Sequence, residues 1–146
     1  MVIPLKFTWQ ATAEELACLK ELVDLRMEQR KSIVNECQDY SRPSMIIDSF
    51  LYHGDLKHAS NSGLLDELHI QSILNISNSQ LAEEIVNEHH VLWINIDDDA
   101  YADIAQYFEM TNEFLQSCRK KQKHVLVHCQ MGVSRSSTVI LAYLMR

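Results

Sequence analysis

Hydrophobic residues along this chain fall into two spacings. Leu16, Leu19, Val23, Met27 and Val34 recur at near-helical intervals behind Thr12-Ala13-Glu14-Glu15, a capping-box pattern, and predict one helix ending near Cys37. The opposite face of that helix is charged, a pattern that suits packing on its own domain better than recruiting a partner. Tyr40-Ser41-Arg42-Pro43-Ser44 predicts a turn or short linker, because Pro43 bars helix continuation. Beyond it, short apolar runs alternate with helical stretches. Strands are predicted at Met45–Ile47, Phe50–Tyr52, Ser72–Ile76, Val91–Ile96 and Val125–Val127. Helices are predicted at Leu56–Ala59, Gly63–Leu68, Gln80–Glu88, Asp103–Lys120 and Thr138–Met145. The strongest is Asp103–Lys120, in which Ile104, Phe108, Phe114, Leu115 and Cys118 share an apolar side. This alternation implies an α/β fold, with a central mixed, mainly parallel sheet flanked by helices and a ligand site at the strand C-termini. Two parts are expected: residues 1–41 as an N-terminal helical extension, and 42–146 as the α/β domain.

Composition narrows the class. The chain has 146 residues, 47% hydrophobic and 23% charged, ordinary values for a globular protein with a real core. A formal charge of −7 argues against nonspecific nucleic-acid binding. No apolar run approaches the length of a membrane span, and the N-terminus lacks a signal-peptide core, so no membrane partner is expected. The expected compartment is the cytosol, or the nucleus by diffusion. Cys18, Cys37, Cys118 and Cys129 are spread without a Cys-x-x-Cys pair, which fits reduced thiols. Cys118 reads as a half-buried helical thiol, with an oxidative bridge to Cys129 as the less favoured alternative. The histidines, among them His89-His90 and His124 with His128, lack further ligands at metal-binding spacing, so neither a metal nor a cofactor is expected.

The segment His128-Cys129-Gln130-Met131-Gly132-Val133-Ser134-Arg135-Ser136 carries the chemistry. A strand that turns sharply into a helix aims backbone N–H groups and the positive helix end at one point, and a dianion binds there. Gln130 to Arg135 would form that cradle. Gly132 permits dihedrals that a side chain forbids. Arg135 offers a planar fork to two phosphate oxygens. The same field lowers the pKa of Cys129, whose thiolate can attack phosphorus in line to give a cysteinyl-phosphate. Ser136 is placed to donate a hydrogen bond to that sulfur and ease its later departure. His128 reads as a brace behind the loop.

His-Cys-Gln-Met-Gly-Val-Ser-Arg-Ser-Ser resembles the signature of cysteine-based protein tyrosine phosphatases, HCxxGxxR followed by Ser or Thr, and its Ser-Arg-Ser ending resembles the dual-specificity branch. The resemblance extends through Pro43–Ile46, Leu51–Gly54, Leu68–Ile76 and Asp98–Phe114, and covers Arg42 to Arg146. It implies a dual-specificity phosphatase catalytic domain acting on phosphoprotein substrates, with an aspartic acid on a separate loop protonating the leaving oxygen. The family spacing to Ala102-Asp103-Ile104 selects Asp98; Asp97 and Asp99 are alternates, and a merely solvated acidic turn is the bland reading. Asp103 reads as a helix N-terminal cap. The family domain continues beyond the loop helix, whereas Arg146 falls about three turns into it, so C-terminal helices are expected to be lacking; another element, for which the N-terminal helix is a candidate, fills the gap, or in the bland reading an apolar flank stays open.

None of Gln130, Met131, Val133 and Ser134 is basic, which weighs against a phosphoinositide substrate. The Arg-Pro-Ser-Met-Ile stretch and the loop also resemble slingshot-type phosphatases. Two rival readings stand: a noncatalytic phosphoprotein-binding module, and a structural domain in which Cys129 is an inert buried thiol. Oligomeric state is not set by the sequence.

Overall fold

The computed structural model describes residues 40–99 and 101–146, and the expected N-terminal helix, with Cys18 and Cys37, lies outside them. Residues 40–146 form one compact unit. Its five strands are β1 (Ser44–Ile47), β2 (Leu51–Gly54), β3 (Ile70–Ile76), β4 (His90–Ile94) and β5 (His124–His128). Its helices are α1 (Leu56–Ala59), α2 (Ser62–Glu67), α3 (Glu83–Glu88), α4 (Phe108–Lys120) and α5 (Arg135–Leu144). The sheet order is β1-β2-β5-β3-β4. β1 runs antiparallel to β2, and every other pairing is parallel. The sheet is therefore mixed and mainly parallel.

β5 lies between β2 and β3 and is apolar on both faces because both faces are covered. Val125 and Val127 join one core with Leu74, Leu115, Val139 and Ile140 beneath α4 and α5. Leu126, one residue out of phase, joins the opposite core with Tyr52, Leu65, Ile73 and Ile85 beneath α2 and α3. Gly54 pairs with His128, and His128 with Asn75, so three parallel strands end at one level. The loops that leave them open on the same rim.

The chain holds only three glycines, so side-chain-bearing residues take most left-handed turn positions. Ser49 (φ 53), His69 (φ 54) and Gln122 (φ 53) introduce β2, β3 and β5 in turn. The turn at Ser49 starts β2 at Leu51, one residue later than the expected Phe50. α3 starts at Glu83 rather than Gln80, because Leu81 is buried in the core under that face instead of starting the helix. β4 stops at Ile94 rather than Ile96. A 3-10 turn at Ala105–Tyr107 precedes α4, where a helix from Asp103 was expected. Asp103 Oδ1 accepts from the Ala105 N–H at 3.1 Å and so caps that turn.

The less favoured bridge between Cys118 and Cys129 does not fit this topology. The Cys118 carbonyl accepts from Lys123 N–H at the foot of β5, while Cys129 follows its far end. Five strand residues span on the order of 15 Å, and a disulfide needs Cα atoms within about 7 Å. Both thiols are free and buried, and Cys118 belongs to the core. No helix among the described residues is long and apolar enough to cross a membrane.

Leu126 is fully buried, and truncation leaves a hole in the core it shares with Tyr52, Leu65, Ile73 and Ile85. Leu126→Ala is expected to lower stability by about 2–5 kcal/mol, read as a lower urea midpoint at unchanged slope.

Candidate active site

The site begins where β5 ends. Cys129 follows the strand directly, is only 2% exposed, and sits at the base of the loop that leads into α5. Gly132 adopts φ +64, and a Cβ there would lie 2.8 Å from the Gly54 carbonyl oxygen. Both the dihedral and the space therefore require glycine. Leu56 N–H donates to the Gln130 carbonyl at 3.4 Å, and Ser79 Oγ donates to Gln130 Oε1 at 2.9 Å. The loop is thus tied to the chain leaving β2 and to the chain leaving β3.

Curled this way, the loop directs N–H groups of Gly132, Val133 and Ser136 at Cys129 Sγ, and Ser136 Oγ–H donates to the same sulfur at 3.2 Å. Burial pushes the Cys129 thiol up, and these four donors together outweigh it, leaving the pKa below the ordinary thiol value. α5 adds the positive end of its dipole, and the Ser134 side chain makes no capping bond to its first turn.

Arg135 is buried on that first turn. Its Nη1–H donates to the Ile96 carbonyl at 2.8 Å, and its Nη2 lies 3.6 Å from Asp98 Oδ2. Its buried Nε has no partner among the described residues, a donor suited to a phosphate oxygen. The Ile96 carbonyl meets the guanidinium rather than a sheet partner; β4 has already ended at Ile94, opposite Ile76, where its partner β3 ends.

The three aspartates separate by their bonds. Asp97 Oδ1 accepts from Asn78 Nδ2 at 2.9 Å, and Asp99 Oδ1 accepts from Tyr101 N–H at 2.8 Å. Asp98 is 61% exposed and is the one that reaches Arg135. A small cavity of about 70 Å3 lies among Asp98, Ala102, Ile104, Ser134, Arg135 and Thr138. A larger one, about 490 Å3, opens beside β4 and α3 between Leu81, Val86 and Trp93. On the outer rim of the loop, Met131 and Val133 are 71% and 69% exposed.

His128 is fully buried, and its Nδ1–H donates to the Cys129 carbonyl at 3.3 Å. Burial drives its pKa down to about 4, against opposing pulls from that carbonyl and from Asp55. His128 is therefore a neutral brace at pH 7. Two side chains near the site carried no sequence expectation. Asp55 caps α1 by accepting from His58 N–H at 3.0 Å, just beneath Gly132. His53 Nε2 lies 2.8 Å from Ser136 Oγ. The available signal was strand alternation: His53 shares the face of Leu51, a polar residue at a core-facing position. Among the described residues no three His, Cys, Asp or Glu side chains group to hold a metal ion.

Comparison with known proteins locates this arrangement. The family model of the dual specificity phosphatase catalytic domain matches residues 51–146. The chain is 33% identical over 140 residues to human dual specificity protein phosphatase 5, covering 88% of this chain and 36% of that protein. The chain thus spans about a third of that relative. Its fold is similar to human tyrosine phosphatase-like serine/threonine/tyrosine-interacting protein, with TM-score 0.65, 26% identity, and coverage of 71% of this chain and 72% of that one. It is likewise similar to the Yvh1 phosphatase domain of Chaetomium thermophilum, with TM-score 0.62, 32% identity, and coverage of 71% and 65%.

The buried His128 has a consequence for stability. Unfolded, it takes up a proton near pH 6.5; folded, it does so only near 4. The unfolded chain therefore binds more protons in that window, and stability falls as pH drops through it, by ~3 kcal/mol at ~1.4 kcal/mol per pKa unit. Urea unfolding at pH 7 and pH 4.5 is expected to show a steeper loss for the wild-type protein than for His128→Gln.

Proposed function

The chain belongs to the dual specificity phosphatase family, and we propose that it hydrolyses phosphotyrosine and phosphoserine/phosphothreonine in phosphoproteins through a cysteinyl-phosphate. The observation that carries this reading is the convergence on Cys129 Sγ of three backbone N–H groups and the Ser136 hydroxyl, with the Arg135 fork alongside. A side chain held this way has its thiolate form favoured, at the base of a loop suited to an anion.

In the proposed first step a phosphate dianion takes the loop N–H groups and the Arg135 fork, and Asp98, displaced from Arg135, takes up a proton from solvent. The Sγ lone pair attacks phosphorus as the P–O bond opposite breaks, and Asp98 gives its proton to the departing oxygen. In the second step Asp98 takes a proton from water, whose oxygen attacks phosphorus. The S–P bond breaks and its electron pair returns to Sγ. Arg135 and the N–H groups of Gln130 to Arg135 hold the equatorial oxygens in both steps, so positioning and electrostatics supply most of the rate.

A loop without a second basic residue, rimmed by exposed Met131 and Val133, suits a single phosphate on a peptide with apolar neighbours better than a polyphosphorylated headgroup. A free thiolate nucleophile suits a reducing compartment, the cytosol or nucleus. The fold likeness to a phosphatase-like interacting protein makes a binding role without turnover the second reading; retention of Cys129, Arg135 and Asp98 favours turnover.

Release of chromophore from an aryl phosphate, inhibited by vanadate, tests the reading directly. Cys129→Ser is expected to abolish turnover while phosphopeptide binding persists; turnover at the wild-type rate in that variant would refute the cysteinyl-phosphate route. Asp98→Ala is expected to lower turnover by ~10²–10⁴-fold, the usual range for a general acid. The same loss in Asp97→Ala or Asp99→Ala, with Asp98→Ala unaffected, would move the role to that residue.

A further inference from the structure

We infer that His53 is a positioning residue for the proposed reaction: it holds the Ser136 hydroxyl so that its single proton points at Cys129 Sγ. The inference rests on the phosphatase reading above. Ser136 Oγ has one proton, and it is spent on the sulfur at 3.2 Å. The partner 2.8 Å away on its other side, His53 Nε2, must then be the donor. Ser137 Oγ lies 3.4 Å from the same nitrogen, so His53 bridges two successive hydroxyls in the first turn of α5. That arrangement fixes the imidazole as the tautomer with its proton on Nε2.

Without this donor the fully buried Ser136 hydroxyl keeps a free choice of rotamer and of acceptor. With it, the lone pair is occupied and the proton has one direction left. Burial, with His58 in α1 adding its charge, lowers the pKa of His53, so the neutral donor form is the one present at pH 7. The other groups around this chain of bonds are Arg135 in α5, the neutral His128 ending β5, and Asp55 ahead of α1.

The effect falls on the sulfur alone, on its thiolate form before attack and on its departure afterwards. When water attacks the cysteinyl-phosphate, the S–P bond breaks with its electron pair going to Sγ. The Ser136 proton stabilises that developing charge, and His53 keeps it there. His53 itself reaches neither phosphate nor leaving group, so substrate binding is not its task.

The test uses the full chain as wild type, His53→Leu, His53→Gln, Ser136→Ala and the double variant His53→Leu/Ser136→Ala. Two readouts are taken from pH 5 to 9: the rate of Cys129 alkylation by iodoacetamide, and burst and steady-state release from an aryl phosphate. His53→Leu is expected to shift the alkylation profile to higher pH, slowing alkylation at pH 6 by about three- to tenfold, the equivalent of one neutral hydrogen bond. Steady-state kcat should fall by a similar factor with the burst retained and KM within about twofold. His53→Gln, which keeps an N–H donor, should recover most of both. In the Ser136→Ala background, His53→Leu should add nothing. An unmoved alkylation profile in His53→Leu overturns the inference, as does an equal shift in the Ser136→Ala background or a failure of Gln to rescue. A wild-type protein that alkylates normally but releases no phosphate would sink the phosphatase reading instead, and the alkylation profiles would still judge His53.

Discussion

At position 132 a backbone carbonyl from another strand stands where a side chain would have to go. The Gly54 oxygen ends β2, and a Cβ on Gly132 would meet it at 2.8 Å. This close approach lets the loop fold down over the sheet instead of arching away from it. It also explains why Gly54 is itself a glycine: its own missing Cβ would lie 3.0 Å from His58 Nδ1 and 3.1 Å from Leu126 Cδ1. The loop is therefore packed directly on the backbone of the strand end, and the strand end on the side chains of His58 and Leu126. Only in that curled state do the N–H groups of Gly132, Val133 and Ser136 face one sulfur atom. The lowered pKa of the Cys129 thiol and the proposed phosphate cradle both depend on the same contact.

In a chain with formal charge −7, the proposed anion site depends on a local field rather than on net charge. Its positive field is made of backbone dipoles and a single buried guanidinium, both strongest within a few ångströms. Burying Arg135 would be costly alone. The segment leaving β4 offsets that cost twice, first with the Ile96 carbonyl and then, two residues later, with the Asp98 carboxylate. The residue that orients the guanidinium and the proposed acid therefore belong to one short stretch of backbone. In the proposed cycle phosphate would compete with Asp98 for Arg135, so that binding the substrate and freeing the carboxyl toward the leaving oxygen would be a single event.

How legible this was in the sequence varied with the kind of interaction. Apolar runs at Val125–Val127 and Ser72–Ile76 marked the central strands because burial on both faces leaves few polar positions. The Cys129-to-Arg135 loop was legible because its chemistry needs specific residue types at fixed spacing. Element ends were less so: β4 stops at Ile94 because its partner β3 stops at Ile76, a match between distant segments that no local pattern reveals. The expectation of Asp98 over its neighbours came from family spacing; that Asn78 and the Tyr101 N–H engage the other two carboxylates is something no local pattern reveals. His53 was overlooked because one polar residue in a four-residue strand is a weak signal. Its partner, Ser136, lies 83 positions away. The Cys118–Cys129 alternative failed for the opposite reason, since eleven positions of sequence separation concealed the full length of β5.

A sulfur that must both attack and depart poses conflicting demands. Each hydrogen bond to Sγ favours the thiolate and makes it a better leaving group, yet it also withdraws electron density and weakens the nucleophile. Desolvation acts the other way, raising the pKa and sharpening the attack. In this site the two are set against each other at one atom: burial to 2% exposure opposes four donors, and the donors win. Three of those donors are backbone groups held by the loop's curl and cannot be adjusted separately from the phosphate cradle. Ser136 is the exception, a side-chain hydroxyl whose proton can be aimed or released without unfolding the loop. That makes it the one point at which the balance between attack and departure can be set independently of phosphate binding. A donor fixed behind it, such as the imidazole of His53, is the simplest way for the fold to hold that setting.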